Sequence, residues 1–142
     1  YIPESVISKC VPRKNGFAEG LLVPVTLSVT CSMLGTPYFP ELNGAILLIE
    51  DVNESPYRLD AYLSQLLLAG VLGKLGALIF GDFSGCGEPE DLEYLIKKFS
   101  KCINGPVFSG LQFGHCMPRI SVPCGIIAEV TVKEGYCYLV RA

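Results

Sequence analysis

The middle of the chain alternates between short apolar runs and helical patterns. Residues 44–49 and 76–80 are continuous apolar runs, which are typical of strands buried on both faces, and residues 106–108 predict a third short strand. Ser55-Pro56 and Glu88-Pro89 each predict a helix start, because proline is favoured at the first helical position and apolar residues follow at helical spacing. This alternation predicts a parallel sheet with right-handed crossovers.

The flanks of this middle region predict further strands. Residues 21–29 are apolar and β-branched, which favours a strand. Residues 126–132 and 136–140 flank Lys133-Glu134-Gly135, which predicts a hairpin with a three-residue loop. Residues 1–20 contain scattered prolines and glycines, and we expect them to form an irregular lead-in. The predicted class is therefore α/β, with a parallel core sheet and added antiparallel strands that include a C-terminal hairpin.

Composition excludes several classes of protein. The chain has 142 residues, of which 50% are hydrophobic and 18% charged, which favours one domain with a real core and argues against disorder. The longest apolar stretch, residues 63–80, is interrupted by three glycines and Lys74, so we expect no membrane span. The net charge of −3 argues against a nucleic-acid partner. Because the chain begins at Tyr1 rather than Met, we also expect it to be part of a longer polypeptide.

The seven cysteines show no metal-binding or redox pattern. Their number is odd and no two are spaced as C-x-x-C, so we expect reduced thiols that serve as small hydrophobic side chains. That use of cysteine favours a reducing compartment. The sequence also has no phosphate-binding glycine motif and no metal-ligand spacing, so it predicts neither a cofactor nor a metal.

Polar residues follow the ends of the predicted parallel strands, where sites gather in such sheets. They are Glu50-Asp51, Gly81-Asp82 and the loop 109–115, which carries the only histidine, His115. A carboxylate at the end of a buried strand needs a hydrogen-bonding partner. Glu50 could accept a hydrogen bond from one nitrogen of an imidazole, which would leave the other imidazole nitrogen to act as a base. Two alternatives stay open at this point: a strand-end acid bonded to backbone N–H groups, and a structural or surface histidine.

A nucleophile is harder to find in the sequence. No serine lies in a G-x-S-x-G elbow. Cys116 adjoins His115, but neighbours in sequence rarely point at each other. The residues therefore predict an acid–base pair without an evident nucleophile.

An ordered series of motifs resembles a known family. In chain order the motifs are Leu34-Gly35-Thr36-Pro37-Tyr38, residues 44–52, Pro56-Tyr57-Arg58-Leu59-Asp60, Gly81-Asp82-Phe83, Gly114-His115, Pro118 and Pro123-x-Gly125. Together they resemble the C-terminal domain of the LD-carboxypeptidases, the muramoyltetrapeptide carboxypeptidases of cell-wall recycling, which are grouped with the microcin C self-immunity hydrolases. The resemblance covers residues 20–130.

The resemblance implies a serine hydrolase with a Ser-Glu-His triad. Glu50 and His115 match the family's Glu and His, whereas the nucleophilic Ser lies in an N-terminal domain that has no counterpart in this sequence. Family members cleave an L-to-D peptide bond and release D-alanine from murein tetrapeptides in the cytoplasm, usually as homodimers. The family domain is a three-layer, swivelling β/β/α unit. We accordingly expect a lead-in or linker end over residues 1–19, the C-terminal domain over 20–142, and no hydrolysis by this chain alone.

Two departures from the family pattern motivate an alternative. Pro24-Val25-Thr26 stands where the family usually has Gly-Gly-Asn, and Arg119 stands where it usually has Asn. These departures would suit a non-catalytic module that binds muropeptides with the same fold. The resemblance also implies a short helix over 27–34, although Val29 and Thr30 are poor helix formers.

Overall fold

The structure is a computed structural model, and it describes residues 10–141. Within that range the strands are β1 Val11–Lys14, β2 Gly16–Thr26, β3 Ile46–Glu50, β4 Ala77–Phe80, β5 Val107–Ser109, β6 Ile127–Lys133 and β7 Tyr136–Arg141. The α-helices are α1 Leu27–Ser32, α2 Pro56–Leu68 and α3 Pro89–Ser100, and a 3₁₀ turn spans Leu72–Lys74. None of the helices in this range is long and apolar enough to cross a membrane.

The described strands form one mixed sheet in the order β1-β5-β4-β3-β2-β6-β7. The pairs β2–β3, β3–β4 and β4–β5 are parallel, and α2 and α3 lie in the connections β3–β4 and β4–β5. β1 is antiparallel to β5, β6 to β2, and β7 to β6. The structure thus confirms the predicted α/β class with a parallel core, antiparallel additions and a C-terminal hairpin.

The parallel strands are buried on both faces, which produces three layers. One core packs the helices against one face of the sheet and includes Leu27, Leu47, Leu59, Phe80 and Phe99. The other core packs the antiparallel strands against the opposite face and includes Ile46, Leu48, Ile79, Val130 and Leu139. All five residues of β3 are buried, as the continuous apolar run predicts. The polar end of β3 is therefore set between two apolar cores.

The expected irregular lead-in is wrong for the part that the structure describes. Val11–Lys14 forms β1 on the edge of the sheet, and Gly16–Thr26 forms the eleven-residue β2. Local prolines and glycines are overridden by pairing with distant strands, because β1 pairs with β5 and residues 16–21 of β2 pair with β6. Residues 1–9 lie outside the described range, and the domain boundary at residue 20 stays a prediction.

The predicted strand over residues 21–29 is correct only as far as Thr26. Residues 22–26 join the parallel sheet beside β3, and α1 begins at Leu27. The helix forms against local propensity because its buried face packs into the core, with Leu27 0% and Thr30 2% exposed. The Thr30 hydroxyl also donates to the Thr26 carbonyl at 2.9 Å. The short helix implied by the family resemblance is present.

Two smaller predictions need correction. The helix α2 begins after Ser55, but the Ser55 hydroxyl makes no capping bond, so the residue caps by position alone. The C-terminal hairpin has a two-residue loop rather than three, because Lys133 pairs directly with Tyr136.

Candidate active site

Glu50 lies at the carboxyl edge of the parallel sheet, as the last residue of β3. Its residue surface is 4% exposed, although the side chain is a carboxylate. A buried carboxylate is costly unless hydrogen-bond donors surround it. The structure provides two donors, one from the neighbouring strand and one from a loop.

The loop that carries His115 is fastened to the same edge of the sheet. The Asp82 amide donates to the Phe113 carbonyl at 2.8 Å, and the Gly110 amide donates to the Phe80 carbonyl at 3.0 Å. These backbone bonds anchor the loop to the end of β4. The loop backbone can then come close to Glu50 only at a residue that has no side chain.

That residue is Gly114, which has a φ of +124°. A Cβ at this position would lie 2.8 Å from Glu50 Oε2 and 2.9 Å from Glu50 Cβ, closer than real Cβ atoms approach. Glycine therefore allows the loop backbone to pass directly over the carboxylate. This close passage sets the next residue, His115, against Glu50.

His115 Nδ1 lies 2.8 Å from Glu50 Oε2. The structure thus brings together the two residues that the sequence suggested as a pair. A carboxylate only accepts hydrogen bonds, so this contact assigns the proton of the neutral ring to Nδ1 and leaves Nε2 as an acceptor. The His115 side chain is 52% exposed and that of Glu50 is 5% exposed. Because Nδ1 faces the buried carboxylate, the part of the ring that carries Nε2 faces outward.

The other strand-end acids have different partners. Asp51 is 2% exposed and accepts bonds from the Ser28 amide at 2.8 Å and the Ser28 hydroxyl at 3.2 Å. Asp82 accepts from the Ser84 hydroxyl at 2.6 Å. Asp51 fastens the start of α1 to the end of β3, and Asp82 shapes its own loop. Among the described residues, Glu50 is the acid that contacts His115.

One contact at this edge was not expected from the sequence. The Thr26 hydroxyl donates to Glu50 Oε1 at 2.5 Å. Thr26 ends β2 directly beside Glu50, and the sequence drew attention to it only as a departure from the family pattern. The parallel pairing of two strands that end together would have indicated the contact, but the predicted strand ran on to Val29.

An open depression of about 400 Å³ adjoins the pair. Its lining includes His115, Phe113, Arg119 and Ser121. Arg119, the second departure from the family pattern, is exposed and supplies a positive charge to this surface. The lining of the depression therefore includes both an imidazole and a guanidinium.

Cys116 does not have the properties of an activated nucleophile. Its thiol pKa is raised, chiefly by burial and also by the negative charge of Asp82, so the neutral thiol is favoured. In the part of the chain that the structure describes, no three His, Cys, Asp or Glu side chains are grouped so as to hold a metal ion. The His115–Glu50 pair is thus the arrangement with evident acid–base chemistry.

Comparison with known proteins agrees with this geometry. Residues 19–130 match the family described as LD-carboxypeptidase C-terminal domain. A Bacillus subtilis protein named "Probable murein peptide carboxypeptidase" is 35% identical over 135 residues, which are 92% of this chain and 41% of the relative. The murein tetrapeptide carboxypeptidase of Pseudomonas aeruginosa is 34% identical over 123 residues, covering 82% of this chain and 38% of the relative.

A solved structure shows the same fold. The crystal structure of muramoyltetrapeptide carboxypeptidase from Oxalobacter formigenes superposes with a TM-score of 0.79 at 31% identity, covering 96% of this chain and 51% of that one. This chain therefore spans about half, or less, of the length of these relatives. The matched family, the relatives and the shared fold confirm the resemblance seen in the motifs: the chain belongs to the LD-carboxypeptidase C-terminal domain family.

Proposed function

We propose that this chain is the C-terminal half of a serine-type LD-carboxypeptidase that removes the terminal D-alanine from murein tetrapeptides. The observation that carries the proposal is the 2.8 Å contact between His115 Nδ1 and the buried Glu50 carboxylate. This contact is the base-and-orienting-acid part of a Ser-His-acid triad. The murein peptide as substrate is supported by the names of the relatives in Bacillus subtilis and Pseudomonas aeruginosa.

In the proposed reaction His115 carries one proton at a time. A serine oxygen attacks the carbonyl carbon before D-alanine, and the serine proton passes to Nε2 of His115. Nε2 then gives that proton to the D-alanine nitrogen as the C–N bond breaks. A water molecule next loses a proton to Nε2 and attacks the acyl ester, and Nε2 returns the proton to the serine oxygen. Glu50 stabilises the imidazolium in both steps because its carboxylate stays bonded to Nδ1–H.

The nucleophile in this proposal comes from an N-terminal domain of a longer polypeptide. Among the described residues, no serine hydroxyl is hydrogen-bonded to His115. Nucleophile and base must lie within hydrogen-bond reach for this chemistry, and the oxyanion donors must be present as well. We therefore expect no measurable hydrolysis by the 142-residue chain alone. By the same family resemblance we infer a cytoplasmic homodimer, acting on murein peptides during recycling.

The test joins this chain to the domain encoded upstream of it and measures D-alanine release from a murein tetrapeptide. We expect His115→Ala to lower kcat by about 10³-fold or more, and Glu50→Gln by a similar order, because each breaks the triad. Cys116→Ser is the matched control, since it alters the neighbour of His115 without touching the pair, and it should retain activity. Full activity of His115→Ala would refute the proposal.

The binding-module alternative predicts a different result in the same assay. A module of that kind would bind muropeptide, detected by calorimetry, yet release no D-alanine when the upstream domain is present. The motivation is that Pro24-Val25-Thr26 stands where the family usually has Gly-Gly-Asn, and Arg119 where it usually has Asn. Turnover that depends on His115 would exclude this alternative.

A further inference from the structure

Thr26 and Glu50 end neighbouring parallel strands in direct register. Side chains of directly paired residues project from the same face of a sheet, so both reach the same side of the carboxyl edge. The Thr26 hydroxyl and Glu50 Oε1 are 2.5 Å apart. The contact is therefore built into the pairing of the two strands.

The Glu50 carboxylate is held at both of its oxygens. Oε1 accepts the hydroxyl of Thr26, and Oε2 faces Nδ1 of His115 at 2.8 Å. The terminal torsion of a glutamate side chain is broad, so a single bond would leave the plane of the carboxylate free to turn. Two bonds on opposite oxygens fix that plane and aim Oε2 at the imidazole.

The backbone around Thr26 is itself fixed. Its carbonyl accepts the Thr30 hydroxyl at 2.9 Å, which ties it to the first turn of α1. The Ser28 amide and hydroxyl both donate to Asp51, the residue that follows Glu50 in the chain. The Thr26–Glu50 and Ser28–Asp51 contacts thus join the chain around the end of β2 to the end of β3 at two successive residues. Together they hold Thr26 beside the carboxylate.

We propose that Thr26 is a positioning residue of the His115–Glu50 pair, whose hydroxyl holds the carboxylate so that Oε2 accepts the Nδ1 proton of His115. The inference rests on the proposed function for its catalytic meaning, but its structural content can be tested without turnover. Thr26 does not contact the outward nitrogen of the ring in this arrangement. It acts on the reaction only through Glu50.

The single histidine makes a direct test available. In the chain labelled with ¹⁵N-histidine, every imidazole signal belongs to His115. The nitrogen chemical shifts of a neutral imidazole report which of its two nitrogens carries the proton. We expect the Nδ1-protonated form to dominate in the natural sequence. In Thr26→Val, the ratio of the Nε2-protonated to the Nδ1-protonated ring should rise about fivefold. A change of this size corresponds to the loss of one ordinary hydrogen bond.

Two further variants separate positioning from general damage. Thr26→Ser keeps a hydroxyl and should restore the natural ratio, and Thr131→Val makes the same substitution on β6, away from the site. If Thr26→Val lacks the amide spectrum of the folded chain, Thr26→Ala is measured in its place by the same criterion. A folded Thr26 variant with the natural tautomer ratio would overturn the inference.

Activity in the longer chain provides a second, separate readout. We expect Thr26→Val to lower kcat about tenfold with little change in KM, and Thr26→Ser to recover most of the loss. An equal loss in Thr26→Ser and Thr26→Val would contradict positioning by the hydroxyl. A tautomer shift in Thr26→Val together with no turnover in the natural longer chain would support the inference and reject the proposed function.

Discussion

Gly114→Ala is the sharpest perturbation that the site offers. The new Cβ would lie 2.8 Å from Oε2, 2.9 Å from Cβ and 3.1 Å from Cγ of Glu50. Rotating the end of the glutamate cannot relieve this crowding, because its Cβ is fixed by the buried strand β3. The loop must instead retreat by about 0.5 Å before the contact with Glu50 Cβ reaches the ordinary van der Waals distance of 3.4 Å.

That retreat is large compared with the contact it disturbs. Moving the loop by about 0.5 Å along the contact would lengthen the 2.8 Å distance between Nδ1 and Oε2 beyond the usual N–H···O range of about 2.7–3.2 Å. Residue 114 also has a φ of +124°, which adds backbone strain of about 1–3 kcal/mol for any L side chain. We expect the His115–Glu50 bond to be lost and the free energy of unfolding to fall by about 2–4 kcal/mol.

Gly125→Ala is the matched control for this variant. Gly125 has a φ of +78°, but a Cβ there meets nothing within 4 Å, so the control adds strain without a clash. We expect it to cost about 1 kcal/mol, measured by urea unfolding, and to leave the Nδ1-protonated tautomer of His115 intact. If Gly114→Ala unfolds with the same free energy as Gly125→Ala and keeps that tautomer, the argument for close packing over Glu50 is refuted.

Two further predictions concern stability outside the site. The Ser55 hydroxyl is buried and lacks a hydrogen-bond partner among the described residues. Ser55→Ala should therefore leave the free energy of unfolding unchanged or raise it. Removing an N-cap usually costs about 1 kcal/mol, so a larger fall in the unfolding free energy measured in urea would contradict this. Burial raises the thiol pKa of Cys31 and Cys137 from 9.0 to about 11, with the charge of Asp51 adding to the effect at Cys31. Because the thiols of the unfolded chain ionise first, the free energy of unfolding should be full below pH 9.0 and fall as pH rises toward 11. Cys137→Ala should make that fall with pH shallower. An unchanged dependence of the unfolding free energy on pH would contradict the raised thiol pKa of Cys137.

The contact between Glu50 and His115 could be predicted because it follows from local sequence patterns and the topology of parallel sheets. Glu50 directly follows a continuous apolar run, which indicates the end of a buried strand, and strand ends in parallel sheets collect at one edge. His115 is the only histidine, so a single imidazole had to be placed. The contact with Thr26 could not be predicted in the same way, because the strand that carries Thr26 had been extended past its true end.

Where the predictions were wrong, long-range contacts had overridden local preference. β2 runs through Gly20 and Pro24, which normally weaken a strand. A Cβ at Gly20 would lie 2.2 Å from the Gly44 carbonyl, so the glycine is needed for a close backbone approach that the sequence does not reveal. Pro24 is tolerated because β6 pairs with β2 only as far as Leu21, leaving no strand partner on that side. Gly20 marks a close backbone contact and Pro24 marks an unpaired side of the strand, and neither residue ends β2.

The contrast in burial within the pair indicates which of its two residues the proposed nucleophile domain would meet. Two apolar cores enclose the parallel strands, so a carboxylate at the end of β3 can be buried only if its donors come from the same edge. Thr26 and His115 supply them, so both oxygens of Glu50 are held by residues of this chain. His115, by contrast, is half exposed and lines an open depression. The serine of the proposed nucleophile domain must come within hydrogen-bond reach of His115. We therefore expect that domain to dock over this depression, with His115 and Arg119 at the centre of the contact.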